Sequence, residues 1–298
     1  MLDKGQEDNW FHSHLISTLA VVFPVALVLF VIWELTRAKP VMDLRMFKNR
    51  NFAGAAAMMF VLGIQSYAFT VFVPQYVQAF MGYTAELAGM TQAPAALAML
   101  VLMPTVGKLV RWIDARWLIG VGFLLSALAA YHLTNIDLQI DFGTAAAYKF
   151  WQNLGLALLF IPINTTSYVG VPEEKGGEVS GTINLLRNLG GSIGISVLVA
   201  TLAQNTQVVH SRLVEGLRPD NPLAQAPYLA APFSLATPGG IAALNAEVTR
   251  QAAIVAYIDD FKLMMLIALA SIPLLLLLRE ARHRPSPRAA TATAAADG

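Results

Sequence analysis

"FIPINTTSYVGVPEE", residues 160–174, decides how the whole chain is read. An apolar run of membrane quality carries Pro162, Asn164, Thr165 and Thr166 near its end, then breaks into Pro172, Glu173 and Glu174. A proline within a membrane helix frees a backbone carbonyl that lipid cannot satisfy, but a neighbouring helix or cavity water can. The stretch therefore predicts the end of a spanning helix that faces protein or a cavity. Asn164, Thr165 and Thr166 sit where such compensation is needed.

Composition outside this stretch agrees. Hydrophobic residues make up 56% of the 298 and charged residues 13%, against about 25% charged in ordinary soluble chains. Mean hydropathy is +0.56. Runs of about 18 to 25 nearly uncharged residues recur, each long enough to cross a hydrocarbon core. Seven spans are expected, near 15–35, 52–77, 86–109, 117–133, 145–169, 181–203 and 259–278. The fold class is thus an all-α polytopic membrane protein. The chain has no cysteine, which excludes disulfides and thiolate metal sites, and a net charge of +1 gives no reason to expect a nucleic-acid partner.

The first 14 residues are polar and acidic and lack the basic start of a secretory signal, so 15–35 is expected to be a retained helix behind an external tail, 1–14. Arg37, Lys39, Arg45, Lys48, Arg50, Lys108, Arg111, Arg116, Lys175, Arg279, Arg282, Arg284 and Arg288 gather on one side, whereas Lys4 and Lys149 are assigned to the short loops of the other. By the positive-inside rule the N-terminus lies outside and the C-terminus in the cytoplasm. The connection 204–258 is long and external, with "NTQVVHSRLVEGL" and "IAALNAEVTRQAAIVAYI" compatible with helix. The tail 281–298 is low in complexity and expected to be disordered.

An ionisable group within a membrane is costly and so marks function. All 19 acidic residues lie in loops, in tails or near span ends, with Asp259 and Asp260 at the outer start of the last span. The expectation is that the chain lacks a mid-membrane proton carrier. Neutral amides take that place: Gln65, Gln75, Gln92, Gln152, Asn153, Asn164, Asn184 and Asn188. Each alone is as compatible with helix–helix hydrogen bonding as with a cavity wall. Five of the eight fall in the fifth and sixth spans, which favours a polar lining. Arg187 is the charge set within a span, either an edge anchor or a partner for substrate. In "SGTINLLRNLGGSIGISVLVATLA" (residues 180–203), Gly190, Gly191 and Gly194 form a small-residue face of close-packing spacing. No HExxH, GxSxG or P-loop occurs and the histidines are scattered, so neither an enzyme nor a metal site is expected. Lys262 sits beside Asp259 and Asp260, which predicts ion pairing at the interface.

Several stretches in order resemble the 14-span drug:proton antiporter (EmrB/QacA-type) branch of the major facilitator superfamily. They are "LDKGQEDNWF", "WELTRAKPVMDLRMFKNRNF", "GYTAELAGMTQAPAALAMLVLMPTVGKLVRWIDARWLI", "FIPINTTSYVGVPEEKGGEVSGTINLLRNLGGSIGIS" and "DDFKLMMLIALASIPLLLLL". The resemblance implies a linker helix with a cytoplasmic loop (15–50) and the C-terminal six-helix half of a transporter (51–280), without the N-terminal half that carries the family's proton site. It implies a bacterial inner membrane, alternating access, and lipophilic drugs exported in exchange for protons, with the proton gradient as coupling source and no further cofactor. A periplasmic adaptor and an outer-membrane channel are the implied partners.

On that resemblance the substrate pathway would use Gln65, Tyr67, Phe69, Gln75, Gln92, Trp151, Gln152, Asn153, Asn164, Asn184 and Arg187. Pro162, Gly190, Gly191 and Gly194 would serve helix packing and conformational change. The family's gating loop corresponds to "GKLVRWIDAR", with Gly107, Arg111, Asp114 and Arg116. Arg111 stands where an acid is expected, and Asp114 is a candidate replacement that would pair with Arg111 or Arg116. The other reading is a stand-alone seven-helix receptor or scaffold, or a non-functional remnant.

Overall fold

The computed structural model describes residues 14–36, 42–135, 142–217, 233 and 237–278. The tail 1–13, Arg37, Lys39, most of 218–236 and everything from Arg279, including the tail 281–298 and Arg282, Arg284 and Arg288, lie outside the described residues. The helices in chain order are α1 (His14–Thr36), α2 (Arg50–Met81), α3 (Ala85–Met90), α4 (Ala93–Leu109), α5 (Ala115–Thr134), α6 (Phe142–Ser167), α7 (Gly176–Glu215) and α8 (Pro238–Ser271). No strand occurs among the described residues.

Five segments are long and apolar enough to cross a membrane: Arg50–Met81, Ala85–Leu109, Ala115–Thr134, Glu173–Glu215 and Pro238–Leu277. The apolar stretch of α1, Ala20–Thr36, is shorter. Helix α6 falls outside this set although it has 26 residues, because Lys149, Gln152, Asn153 and Asn164 dilute its apolar content. A helix covered by protein does not need a uniformly lipid-like surface. Helices α2 and α7 pack face to face, α5 lies along α6 and α8, and α4 leans on α6. Helix α1 stands apart and meets the bundle mainly at the Leu44–Lys48 turn. Its Val22, Phe23, Val28, Leu29, Ile32 and Trp33 are exposed, as suits a helix bathed in lipid.

Two apolar clusters form the core. One holds Phe52, Met58, Met59, Ile119, Phe123, Leu159 and Ile163. The other holds Phe69, Phe72, Tyr76, Tyr257, Phe261 and Met264. Between them, Gln65 of α2 donates to the Met264 carbonyl of α8 at 2.7 Å and accepts from the Ser126 hydroxyl of α5 at 3.1 Å. With no hydrophobic drive between helices in lipid, such interhelical hydrogen bonds and close backbone approach hold the bundle together.

The boundaries differ from the sequence reading in four places. The third span is broken into α3 and α4 at Thr91 and Gln92, where Pro94 in the first turn of α4 has no N–H to continue the ladder. The sixth span lies within a helix of 40 residues and most of the seventh within one of 34, so the ends of the 204–258 connection continue the spans as helix. Lys149 is not a loop residue: it lies within α6, buried, its ammonium 3.4 Å from the Phe69 carbonyl. Asp260 is not at a helix start, because α8 begins at Pro238.

The opening stretch forms the end of α6. Thr165 and Thr166 both donate to the Pro162 carbonyl, at 3.0 and 2.7 Å, so the hydroxyls close the helix end upon itself. Gly170 then takes a φ of +76°, a left-handed turn that a side chain would strain. Asn49, capping the start of α2, donates to the Val169 carbonyl at 2.9 Å and ties this turn to the bundle.

Candidate functional site

The α2–α7 contact is built on four glycines. A Cβ at Gly63 would lie 2.1 Å from the Arg187 carbonyl oxygen, and one at Gly190 2.0 Å from that of Phe60. At Gly191 it would strike the Tyr67 ring at 2.3 Å, and at Gly194 Ile64 at 2.8 Å. The two backbones therefore touch, as small-residue faces allow in membranes. Gly190, Gly191 and Gly194 stand where the sequence placed them; Gly63 on the facing helix was missed, though an isolated glycine in an apolar run signals close approach.

This contact sets the groove beside it. Tyr67 lies over Gly191 and donates to Asn188 Oδ1 at 3.2 Å. The groove, about 320 Å³, runs between α2, α4, α6 and α7 and is lined by Leu62, Ser66, Tyr67, Thr70, Met99, Met103, Leu156, Phe160 and Arg187. The Arg187 guanidinium carbon stands 5.5 Å above the centre of the Phe160 ring, a cation–π geometry. Its Nε is buried with no hydrogen-bond partner among the described residues. The Ser66 and Thr70 hydroxyls donate to the Gly63 and Ser66 carbonyls of their own helix. What the groove offers a ligand is thus apolar and aromatic surface, flexible methionines, and one cation with an unused donor. No carboxylate lines it among the described residues.

The structure brings Tyr67 and Arg187 together here and sends the other expected residues elsewhere. Gln65 and Phe69 are fully buried in the packed interior. Gln152 is buried too, and both its amide atoms lack partners among the described residues. Asn153 and Asn164 are half-buried on α6, Trp151 is exposed beside Phe150, and Gln75 is exposed. Gln92 is half-buried at the α4 start without a capping bond, and Asn184 bonds back to the Ser180 carbonyl. Seven lining residues were missed. Their signal was present as i, i+4 pairs on single helix faces: Leu62, Ser66 and Thr70; Met99 and Met103; Leu156 and Phe160.

The gating-loop expectation needs correction. The Asp114 carboxylate does not pair with Arg111 or Arg116 side chains among the described residues; it caps α5 by accepting the Arg116 backbone N–H at 3.0 Å. A helix N-terminus offers unsatisfied N–H groups, and the Asp114 carboxylate takes one of them. Gly107 has open space around it. Lys262 pairs with Asp259 at 3.0 Å, as expected, while Asp260 is buried with both oxygens unpartnered among the described residues. At the end of the bundle near residue 43, Asp43 pairs with Lys175, and this ammonium holds the Asp43 carboxyl below its ordinary range.

A bundle of long apolar helices suits a membrane, and comparison with known proteins supplies the family. The chain belongs to the Major Facilitator Superfamily, whose family profile matches residues 9–195. It is 34% identical over 229 residues to the Multidrug export protein EmrB of Escherichia coli strain K12, covering 76% of this chain and 45% of that protein. It is 31% identical over 265 residues to the Probable multidrug resistance protein EmrY of the same strain, covering 88% and 52%. It is 34% identical over 223 residues to the Fatty acid resistance protein FarB of Neisseria gonorrhoeae, covering 74% and 43%. The chain spans about half the length of the curated relatives it matches. Together with its apolar helices, this makes it a multi-pass membrane protein.

Proposed function

We propose that this chain forms the C-terminal part of a proton-coupled multidrug efflux transporter, working by alternating access with an N-terminal half that supplies the opposite cavity wall and the proton site. The observation that carries the proposal is the groove beside the glycine-lined α2–α7 contact, with Arg187 facing it and no acid lining it. Its apolar walls suit lipophilic molecules, and Arg187 suits those bearing an anionic or strongly accepting group. The tight seam lets α2 and α7 move as one unit when the halves rock. The reading includes a bacterial inner membrane, the N-terminus outside, drugs as substrates, and an adaptor and outer-membrane channel as partners.

The test has two arms. A fluorescent lipophilic anion should bind the chain in nanodiscs, and Arg187→Gln should weaken it about tenfold, the scale of a lost charged hydrogen bond. In proteoliposomes holding this chain alone, drug-dependent proton flux should be absent. Undiminished binding by Arg187→Gln overturns the groove assignment; flux by the chain alone overturns the need for a second half.

A further inference from the structure

The last span holds a buried acid that the groove does not use. Asp260 of α8 is 1% exposed, and both its carboxyl oxygens are buried with no hydrogen-bond partner among the described residues. It lies about 33 Å along α8 from Pro238, at 1.5 Å per residue, and Met264, one turn further on, meets Gln65 across the bundle. The acid is therefore inside the packed interior. Tyr257, Phe261 and Met264 of its own helix and Leu198 of α7 belong to the second apolar cluster.

The elements packed against α8 are α2, α5 and α7, and none of them compensates the acid. Helix α2 brings Tyr76, whose ring packs edge-on against Tyr257. Helix α5 brings His132, which stacks on Tyr148 of α6. On α8 itself, Asp259 and Lys262 pair with one another in exposed positions, and Glu247 pairs with Arg250. Helix α7 brings the Thr201 hydroxyl within reach of the carboxyl. The single Thr201 hydrogen is shared between the Val197 and Leu198 carbonyls, at 2.9 and 3.0 Å, so Thr201 Oγ1 can accept from Asp260 but has nothing left to donate. A carboxylate here would be a bare buried charge set against lone pairs, and a buried ionisable group in that position neutralises instead. A carboxylic acid has the donor that this contact lacks.

We propose that Asp260 is a proton-binding site of this chain: with α7 packed on α8 it holds a proton and donates it to Thr201 Oγ1, and it gives that proton to water when the two helices part. Burial is what makes the site a coupling device, because water reaches the carboxyl only when the contact opens, and closing the contact requires the proton back. The site is separate from the proton site assigned above to an N-terminal half. It stands whether or not the transport reading holds, since it concerns one proton and one helix contact.

Infrared spectroscopy of the whole chain in detergent distinguishes the carbonyl stretch of protonated carboxyls from that of ionised ones. At about pH 6, where exposed carboxyls are ionised, wild type should show a protonated carboxyl; Asp260→Asn should lose it and Asp259→Asn should keep it. A second measurement follows the helix contact. Ala256→Cys, fully buried one turn from Asp260, should react with a thiol reagent faster relative to the exposed Asn245→Cys as pH rises from about 5 to about 7, by about tenfold per pH unit at the steepest. With Asp260→Asn added, that ratio should stay level. A wild-type spectrum without a protonated carboxyl at about pH 6 overturns the proposal and needs no variant to do so. A protonated carboxyl that survives in Asp260→Asn overturns the assignment, and a level ratio in the presence of Asp260 overturns the link to the helix contact.

Discussion

At the residue scale, polar side chains within the bundle divide by what they touch. Gln65 was grouped with the pathway amides, yet its two interhelical bonds make it a fastener between α2, α5 and α8. Gln65→Leu should therefore lower stability by about 1 kcal/mol, because the Met264 carbonyl lies within a helix and the Ser126 hydroxyl is free to turn to a carbonyl of its own helix. Thermal unfolding in detergent measures this, and anion binding in the groove should not change. Asp43 gives a pH signature. Its folded carboxyl sits below the unfolded value, so it contributes stability that is full above about pH 3.9 and is lost as pH falls through the folded value. Wild type should lose more stability than Asp43→Asn on going from pH 5 to pH 3, and parallel curves for the two would refute the pairing.

At the scale of elements, the α2–α7 seam is where geometry is least forgiving. Gly190→Ala would drive a methyl to 2.0 Å from a backbone oxygen that has no flexible end to swing away. The helices must part, at about 1 to 3 kcal/mol or more. Gly181→Ala, on the same helix in open space, should be neutral or stabilise by up to about 1 kcal/mol. Comparing the two unfolding temperatures separates a packing requirement from a general intolerance of alanine. The seam also shapes the groove, since Gly191 seats Tyr67 and the same face of α7 brings Arg187 over Phe160.

At the scale of the whole molecule, orientation is the testable property. The chain has no native cysteine, so single introduced cysteines report accessibility without background. Arg111→Cys lies in the exposed turn between α4 and α5, and Asn245→Cys in the N-terminal part of α8, where Asn245 meets His210 Nε2 at 3.0 Å. In intact cells a membrane-impermeant maleimide should label position 245 and spare position 111 until the membrane is opened. The reverse pattern would invert the topology drawn from the positive-inside rule.

Fold class was legible in the sequence because membrane physics is local: a hydrocarbon core demands long uncharged runs, and the chain shows them without reference to any neighbour. The helix end between Pro162 and Pro172 and the glycine face of α7 were legible for the same reason. Which polar groups meet was not. Gln65 and Arg187 read alike along the chain as polar residues within spans, but one is sealed against two helices and the other lines a groove. Only the packing of α2 on α7, where Gly63 meets the Arg187 backbone and Gly190 the Phe60 backbone across residues far apart in sequence, decides which face of each helix turns inward. A hydrogen bond or a groove wall exists only where two helices bring their faces together.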